Sequence, residues 1–421
     1  MAEIKPFKAV RPKTEYVAEV ASLPYDVFTE KEAREVVKNN PHSFLKIARP
    51  ETAFPEGCDI YGEEVYKKAK NLLEGEIQNG VLVQEKKNCY YIYRLTVNNR
   101  SQTGLVACFS ADDYMNNVIK KHENTRKDKE ADRTRHIDIC NANTGPVFLA
   151  YKDKKIINEI IENITEDEPL FDFEAKDSVR QQVWRVDNPF TVENITKAFE
   201  KIDSIYIADG HHRCASAVSI AKQRREVYPG YDGNEEFNYF LGVAFPDSQL
   251  CIMPYNRVIK DLNGMSCEEF LIALNSVFEV TRLDEGYSDT VDVEKGSYGP
   301  KEKYEMNMYL DGIWYKLVAR PEVRTDDAVE GLDVSILQDN VLGPILGIDD
   351  PRTDERIDFV GGIKGLKELE KRCREDMRLA FALYPTSIKE LIRVTDEGKL
   401  MPPKSTWFEP KLQSGLFVHM L

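Results

Sequence analysis

The stretch "SIYIADGHHRCASAVSIAKQRR", residues 204–225, runs from a short apolar segment through Asp209-Gly210 into a pattern of helical spacing. Residues 204–208 are rich in β-formers, and an Asp-Gly pair breaks regular structure. Apolar residues then recur on one face of a helix, at Cys214, Ala217, Val218 and Ala221. The stretch therefore predicts a strand, a tight turn and a helix that begins near His211.

The first turn of this predicted helix carries His211, His212 and Arg213. Backbone N–H groups in a first turn lack intrahelical partners, and the helix dipole is positive there. Two imidazole rings and a planar guanidinium add hydrogen-bond donors that suit phosphate oxygens. We interpret the three residues as phosphate ligands; an ordinary helix cap on a surface turn is the alternative.

The chain has 421 residues with an apolar content of 42%, which predicts two or three domains or lobes. Apolar runs fall short of the roughly 20 residues of a membrane span. The N-terminal segment lacks the apolar core of a signal peptide, so we expect a cytoplasmic protein. The 8 cysteines show no C-x-x-C spacing, which argues against a zinc ribbon or a disulfide framework.

The formal net charge is −15 at pH 7. Binding to nucleic acid or anionic membranes relies on a broad basic surface, so we expect neither partner. A small anionic ligand needs only a local basic pocket and is compatible with this charge. The sequence does not fix the oligomeric state and is compatible with a homo-oligomer.

Strand pairs joined by tight turns predict an α+β fold with largely antiparallel sheets and packed helices, rather than a doubly wound parallel sheet. Hairpins are predicted with turns at Asn98-Asn99-Arg100-Ser101 and at Asp311-Gly312, and strands at 237–246 and 250–259. Helices are predicted at four places, namely after the Thr29 cap, over 59–80, over 335–347 and over 366–383.

Three regions are expected along the chain. They are an N-terminal α+β lobe over 1–200, a region with the Asp-Gly-His-His-Arg motif over 201–285, and a C-terminal α+β lobe over 286–421 that closes on the site. A boundary is expected in the acidic, glycine-bearing segment 286–303.

Residues 119–136, "IKKHENTRKDKEADRTRH", are locally basic in an acidic protein. A zinc-protease helix needs a second histidine four residues after His122, and Arg126 occupies that place. A solvated charged helix is one interpretation. The other is a basic lid or helix that brings His122, Glu123 and Arg126 to a phosphorylated ligand, with Glu123 as a base.

The segment 401–415 is interrupted by prolines yet concentrates Lys404, Ser405, Thr406 and Lys411 among aromatic residues. The glycines of a P-loop are absent before Lys-Ser-Thr, so that motif is excluded. A structural clamp and a phosphate-contacting loop both remain open. A further candidate is "SLPYDV", residues 22–27, where Pro24 stiffens a turn that presents Tyr25 and Asp26.

These motifs resemble a known family. "IADGHHRCASA" is similar to the signature of ParB/sulfiredoxin-like nucleotide-binding domains. The wider set resembles, in order, the landmarks of the domain of unknown function 1015 family: "LPYDV", "HENT", Arg257 in "LCIMPYNRVI", "LDVSILQDNVLGPILGI", "IDFVGG" and "MPPKSTWFEPKLQSGL". The resemblance spans nearly the whole chain.

The resemblance implies a ParB/sulfiredoxin-like core whose relatives act on nucleotides and include free serine kinases. Carried over, His211, His212 and Arg213 hold phosphates, and Asp209 orients the turn or a metal. Sulfiredoxin has a reactive cysteine where this chain has Gly210 and His211, so sulfinic acid reduction is not expected. The helix-turn-helix and basic DNA surface of ParB proteins are not recognisable.

We therefore expect a phosphoryl-transfer enzyme acting on a small hydroxylated metabolite, with serine and a nucleotide donor as the leading candidate, or phosphoserine in the hydrolytic direction. ATP or ADP with Mg²⁺ is the expected cofactor set, and metal ligands are left unassigned. Glu123, Asp26 and Asp209 are the candidate catalytic carboxylates. The expected phosphate or nucleotide ligands are His211, His212, Arg213, Arg257, His122, Arg126, Lys404, Ser405 and Thr406. A non-catalytic nucleotide or phosphometabolite sensor is the alternative function.

Overall fold

The computed structural model describes residues 1–283 and 299–421. They form two compact units, Met1–Leu250 with Pro410–Leu421, and Cys251–Glu409. The predicted region 201–285 is divided between the two units. Its residues up to Leu250 belong to the first unit, and those from Cys251 belong to the second. Most of the boundary segment predicted at 286–303 lies outside the described residues.

Helices and strands alternate irregularly along the chain. The α-helices are α1 Val17–Val20, α2 Glu30–Asn39, α3 Leu45–Ala48, α4 Glu63–Gln78, α5 Ala111–Met115, α6 Lys127–Cys140, α7 Lys155–Thr165, α8 Pro189–Phe199, α9 His211–Val227, α10 Cys267–Leu274, α11 Asp333–Leu337, α12 Gly365–Glu375 and α13 Ile388–Asp396. Across the described ranges, every helix is too short or too polar to traverse a bilayer.

The strands are β1 Ile4–Lys5, β2 Val10–Pro12, β3 Leu82–Gln84, β4 Tyr90–Val97, β5 Arg100–Ser110, β6 Ile119–Lys120, β7 Ala142–Asn143, β8 Val147–Tyr151, β9 Phe171–Glu174, β10 Arg180–Val186, β11 Ile205–Asp209, β12 Tyr239–Pro246, β13 Cys251–Met253, β14 Tyr255–Ile259, β15 Phe278–Arg282, β16 Glu305–Leu310, β17 Ile313–Ala319, β18 Ile357–Gly361, β19 Leu379–Leu383, β20 Trp407–Glu409 and β21 His419–Met420.

The first unit contains a nine-stranded sheet in the order β6-β11-β8-β12-β5-β4-β10-β9, with β1 paired to β5. Most neighbours are antiparallel, whereas β11 runs parallel to β6 and β12 runs parallel to β8. Shorter pairs join β2 to β3 and β7 to β21. β11 thus lies next to the edge strand β6.

The second unit contains a six-stranded sheet in the order β15-β17-β16-β19-β14-β18, and its neighbours are all antiparallel. A further pair joins β13 to β20. The predicted α+β class with largely antiparallel sheets is therefore confirmed for the described residues.

Both predicted hairpins are confirmed, but the first turn is shorter than predicted, because Arg100 and Ser101 already belong to β5. Asn98 and Asn99 link β4 to β5 with φ values of 50° and 59°. Asp311 and Gly312 link β16 to β17 with φ values of 48° and 86°. Two-residue turns with positive φ at both positions match the twist of the strands, and Asn, Asp and Gly tolerate that conformation best.

The predicted helix after Thr29 is confirmed as α2, with both hydrogen bonds of a capping box. The Glu32 N–H donates to Thr29 Oγ1 at 3.3 Å, and the Thr29 N–H donates to Glu32 Oε2 at 2.8 Å. The helix predicted over 59–80 begins only at Glu63.

Two predictions were wrong in part. The helix predicted over 366–383 ends at Glu375, and β19 follows as a fully buried strand. Its "LAFAL" is a continuous apolar run, and periodicity cannot separate a buried strand from a buried helix in so short a run. The strand predicted over 250–259 is divided at Pro254 into β13 and β14, because proline cannot donate to a sheet ladder.

The main core of the first unit anchors the strand and helix of the opening stretch. It includes Ile205 and Ile207 of β11, and Cys214, Ala217 and Ile220 of α9. Cys214 is fully buried, as its helical spacing predicts. Because both flanks of the Asp209-Gly210 turn are packed in this core, the turn is held in one position at the end of β11.

One buried carboxyl in the second unit makes stability depend on pH. Burial raises the pKa of Asp333 to about 7, although the Tyr304 N–H donates to its carboxylate at 3.0 Å. A folded-state pKa above the unfolded value of about 4 means that stability falls as pH rises from about 4 through 7. We expect Asp333→Asn to raise the free energy of unfolding by about 4 kcal/mol at pH 8 and to change it little at pH 4.

Urea unfolding of wild type and Asp333→Asn at both pH values measures this difference. Asparagine keeps the acceptor for the Tyr304 N–H, so the comparison isolates the buried charge. An equal effect of the substitution at pH 4 and pH 8 would contradict the assignment.

Candidate functional site

The predicted strand, turn and helix over 204–225 are confirmed. β11 ends at Asp209, Gly210 has a φ of 92°, and α9 begins at His211. The Cys214 N–H donates the first intrahelical bond, to the Gly210 carbonyl at 3.0 Å. The positive φ favours glycine, and a Cβ at this position would crowd Arg213, since it would lie 3.0 Å from guanidinium atoms.

Arg213 lines a cleft in the first unit. One NH group of its guanidinium donates to the Pro146 carbonyl, and another lies 4.0 Å from Asp209 Oδ1. The cleft encloses about 510 Å³ of empty space, counting its open mouth. Its polar wall is formed by Tyr25, Arg133, His136, Asn143, Arg213 and Ser414. The arginine therefore faces a concavity rather than only surface carboxylates.

Asp209 forms an ion pair with Lys411, whose Nζ lies 2.7 Å from Asp209 Oδ2. Burial alone would raise the pKa of Asp209, but the charges of Lys411 and Arg213 hold it well below its usual range. The side chains of Lys411 and Asp209 are only 13% and 28% exposed. Asp209 is thus a fixed negative charge that orients Lys411 and Arg213, and it is a poor proton acceptor.

Removing Lys411 should weaken the first unit. We expect Lys411→Met to lower the free energy of unfolding by about 2 to 3 kcal/mol, because it leaves the Asp209 carboxylate without its closest cation. Adding Asp209→Asn in the same chain should recover part of that loss.

Urea unfolding of the single and double variants measures this coupling. Lys67→Met is the control, because Lys67 belongs to an exposed ion pair with Glu63; it should change stability little. A loss for Lys67→Met as large as that for Lys411→Met would contradict a specific role for the buried pair.

A group of three side chains lies beside the turn: His122, Glu123 and His211. The His122 and His211 rings meet edge to face with centroids 4.4 Å apart. Burial lowers the pKa of His122 to about 4, and burial with the neighbouring His122 lowers the pKa of His211 well below its usual range. Both rings are therefore neutral at physiological pH.

The basic segment 119–136 is not one helix. It contains β6, a loop that carries His122 and Glu123, and α6 from Lys127. The Arg126 N–H donates to His212 Nε2 at 3.0 Å, which connects this loop to α9. The exposed Arg126 guanidinium forms an ion pair with Asp128 at 2.9 Å.

Tyr25 and Asp26 lie in a short 3₁₀ turn of the first unit. The Arg133 guanidinium lies 4.4 Å from the centre of the Tyr25 ring. Burial raises the pKa of Tyr25 to about 12, so its hydroxyl stays protonated and can donate a hydrogen bond. Asp26 is exposed. The 22–27 segment therefore brings Tyr25, rather than Asp26, into the wall of the Arg213 cleft.

The remaining predicted ligands belong to the second unit. Arg257 is 4% exposed, and its guanidinium donates to the Tyr255 and Pro403 carbonyls and lies 5.3 Å from the centre of the Phe359 ring. Burial lowers the pKa of Arg257 to about 10. Lys404 has a φ of 57° and extends over the Tyr255 ring.

Ser405 and Thr406 follow Lys404 in the same segment. The Ser405 hydroxyl donates to the Pro402 carbonyl at 2.6 Å, and the Thr386 hydroxyl donates to the Ser405 carbonyl at 3.2 Å. These contacts order the segment. The predicted phosphate-binding role of Lys404, Ser405 and Thr406 stays a prediction.

Several residues of the cleft and the partner of Asp209 cannot be assigned from the sequence. Lys411 lies in a basic terminal segment, but its pairing with Asp209 joins residues 202 positions apart and has no local signal. Arg133 was one of many charges in 119–136, and Asn143 and Ser414 carried no signal. The cleft depends on long-range pairing, such as that of Ser22 with Ser414, which spacing cannot show.

The fold and the site together define an α+β protein with a polar cleft at a strand–glycine–helix turn. The family model described as "Protein of unknown function (DUF1015)" matches residues 4–335. The chain belongs to this family, and the predicted resemblance to it is confirmed over these residues. The predicted likeness to ParB/sulfiredoxin-like domains stays a prediction. Among proteins with a curated description, none matches the chain.

Three solved structures show a weaker likeness. A conserved hypothetical protein from Pyrococcus furiosus is 14% identical, with 74% of this chain and 95% of that chain covered and a TM-score of 0.34. A free serine kinase in complex with AMP is 13% identical, with 74% and 92% covered and a TM-score of 0.36. SbnI with a C-terminal truncation, from Staphylococcus aureus, is 10% identical, with 75% and 87% covered and a TM-score of 0.38. TM-scores of this size do not define a shared fold.

Proposed function

We propose that the protein is a phosphoryl-transfer enzyme that acts on a small hydroxylated metabolite, with serine as the acceptor and ATP or ADP as the donor. Release of phosphate from phosphoserine is the same chemistry with water as the acceptor. The observation that carries the proposal is the position of Arg213, in the first turn of α9 and on the wall of a cleft.

Phosphoryl transfer depends mainly on positioning and on positive charge around the transferring group. The first-turn N–H groups of α9 and the Arg213 guanidinium supply such charge at one place. Asp209 and Lys411 support it, because their ion pair fixes the end of β11 beside the turn. We assign phosphate binding to Arg213, His211 and His212 on this basis.

The enzyme also needs a carboxylate that accepts the hydroxyl proton of the substrate. Asp209 is unsuited, because Lys411 and Arg213 hold its pKa well below its usual range. Glu123 and Asp26 remain as candidates. Glu123 adjoins the first turn of α9 through His211, and we propose it as the first carboxylate to test.

Serine enters the proposal through the resemblance of the motif over 207–217 to ParB/sulfiredoxin-like proteins, among which are free serine kinases. We propose a core of that type around β11 and α9. Further phosphate contacts are proposed for His122, Arg126, Arg257, Lys404, Ser405 and Thr406. A cytoplasmic location and a homo-oligomer stay predictions.

Magnesium is expected with a nucleotide donor, because it bridges phosphate oxygens. It prefers oxygen ligands, whereas the residues beside the turn offer two imidazoles and a single carboxylate. This group does not fit a dedicated magnesium site. Magnesium bound to the nucleotide phosphates themselves would need few protein ligands.

A thermal-shift screen of nucleotides and phosphorylated metabolites tests the proposal at the level of binding. A ligand at about 100 times its dissociation constant stabilises the folded protein by about 2.7 kcal/mol. We expect ATP or ADP and phosphoserine to raise the unfolding temperature, and unphosphorylated serine alone to raise it less. Failure of every nucleotide and of phosphoserine to shift the transition would remove the proposal.

A further inference from the structure

Histidines follow two neighbouring parallel strands at the same edge of the sheet. β6 ends at Lys120 and β11 ends at Asp209, and the two strands pair in parallel register, with Ile119 opposite Ile205. The carboxyl ends of parallel neighbours lie side by side. The loop after β6 and the first turn of α9 are therefore brought together, although they are far apart in sequence.

This juxtaposition groups His122 and Glu123 with His211. One imidazole nitrogen from each histidine and one carboxylate oxygen all lie within 4.8 Å of one another. The sequence excludes a zinc-protease helix, because no histidine follows His122 at the required spacing. The fold supplies the second histidine from the turn after β11.

Both histidines are buried, with exposed fractions of 2% for His122 and 8% for His211. Nε2 of His211 is shielded from solvent and makes no hydrogen bond to any residue in the described ranges. A buried polar atom without a partner costs about 1 to 3 kcal/mol. Such an atom, on a histidine that is grouped with a second imidazole and a carboxylate, indicates a missing ligand.

The His122 ring is held by a hydrogen bond to the backbone of Ile207, in β11. Histidines that bind metal ions commonly donate their other ring N–H to a backbone carbonyl, which fixes the ring orientation. The neighbouring strand thus orients His122 as a metal site requires.

We infer that His122, Glu123 and His211 bind a divalent transition-metal ion. Two imidazoles and one carboxylate suit zinc, iron, cobalt or nickel better than magnesium or calcium, which take oxygen ligands. Three protein ligands leave at least one coordination position open for water or for an oxygen of a bound ligand.

This site does not rest on the proposed phosphoryl transfer, since metal binding is measured on the protein alone. Metal retention also distinguishes the two proposed roles of Glu123, as a metal ligand and as a proton acceptor. A metal ligand is needed for metal retention, whereas a proton acceptor is needed for turnover and not for metal content.

The test uses the full chain, stripped with a chelator, incubated with Co²⁺ and then desalted. We expect about one Co²⁺ retained per chain, with the visible absorption of nitrogen and oxygen coordination. Zn²⁺ should displace the Co²⁺ and abolish the absorption. A wild-type chain that retains no Co²⁺ and no Zn²⁺ would overturn the inference.

Variants locate the site. His211→Gln and Glu123→Gln should each reduce retained Co²⁺ by about 10-fold or more. His42→Gln is the matched control, because His42 also lies beside a carboxylate, at 3.4 Å from Glu76, and it should retain Co²⁺ as the wild type does. Circular dichroism checks that each variant folds. If His211→Gln does not fold, Co²⁺ retention by Glu123→Gln alone tests the site. Full Co²⁺ retention by folded Glu123→Gln would also overturn the inference.

Discussion

Replacing Glu123 by glutamine is expected to lower the rate of phosphoryl transfer by about 100-fold or more. The amide has the size of the carboxylate but cannot accept the hydroxyl proton of the substrate. Glutamine also lacks the charge that would bind a cation beside His122 and His211. The rate should therefore fall whether Glu123 accepts the proton or binds a metal ion. Nucleotide affinity measured in EDTA should stay nearly unchanged, since that affinity depends on Arg213.

Steady-state turnover and nucleotide titration of the purified variant measure both quantities. Asp26→Asn is the comparison variant, because Asp26 is the other candidate carboxylate and is exposed. A large loss of turnover in Asp26→Asn with normal turnover in Glu123→Gln would assign the proton acceptor to Asp26. Normal turnover in both variants would contradict carboxylate-assisted transfer.

Replacing Arg213 by alanine is expected to weaken binding of nucleotide or phosphoserine by roughly 10- to 150-fold, which corresponds to about 1.5 to 3 kcal/mol for a charged hydrogen bond. The guanidinium lines the cleft, and its partners within the protein are the Pro146 carbonyl and, at 4.0 Å, Asp209. The binding loss is expected whether the protein is an enzyme or a sensor.

Isothermal titration in EDTA measures this loss without a contribution from a metal ion. Arg224→Ala is the control, because Arg224 lies in the last turn of the same helix and contacts Asp138 at 3.5 Å. Equal affinities for wild type and Arg213→Ala would show that the anion does not bind at the first turn of α9.

The sequence predicts the structure correctly at places where neighbouring residues determine it. Asp209-Gly210 predicted the turn before α9, Asn98-Asn99 predicted a hairpin, and Thr29 with Glu32 predicted a capped helix. In each case a side chain or a positive φ acts within a few residues. The helical spacing after Arg213 also placed Cys214 correctly in the core.

The grouping of the candidate site residues, and the strand at 379–383, depend on pairing between distant segments of the chain. The parallel register of β6 and β11 brings His122 to His211, and no spacing along the chain indicates that register. Lys411 meets Asp209 because Pro410–Leu421 belongs to the same unit as Met1–Leu250. The apolar run over 379–383 is a strand because it lies between β16 and β14 in the sheet, whereas its composition suits a helix equally well.

Phosphorus NMR follows phosphoryl transfer to serine, or from phosphoserine to water, directly. Purified wild-type protein is incubated with ATP or ADP and serine, and separately with phosphoserine, with Arg213→Ala in parallel. We expect a phosphoserine signal that grows as the donor nucleotide is consumed, or inorganic phosphate released from phosphoserine. Either change should be much slower with Arg213→Ala. Wild-type protein that binds nucleotide or phosphoserine tightly but turns over neither would exclude phosphoryl transfer and identify a sensor.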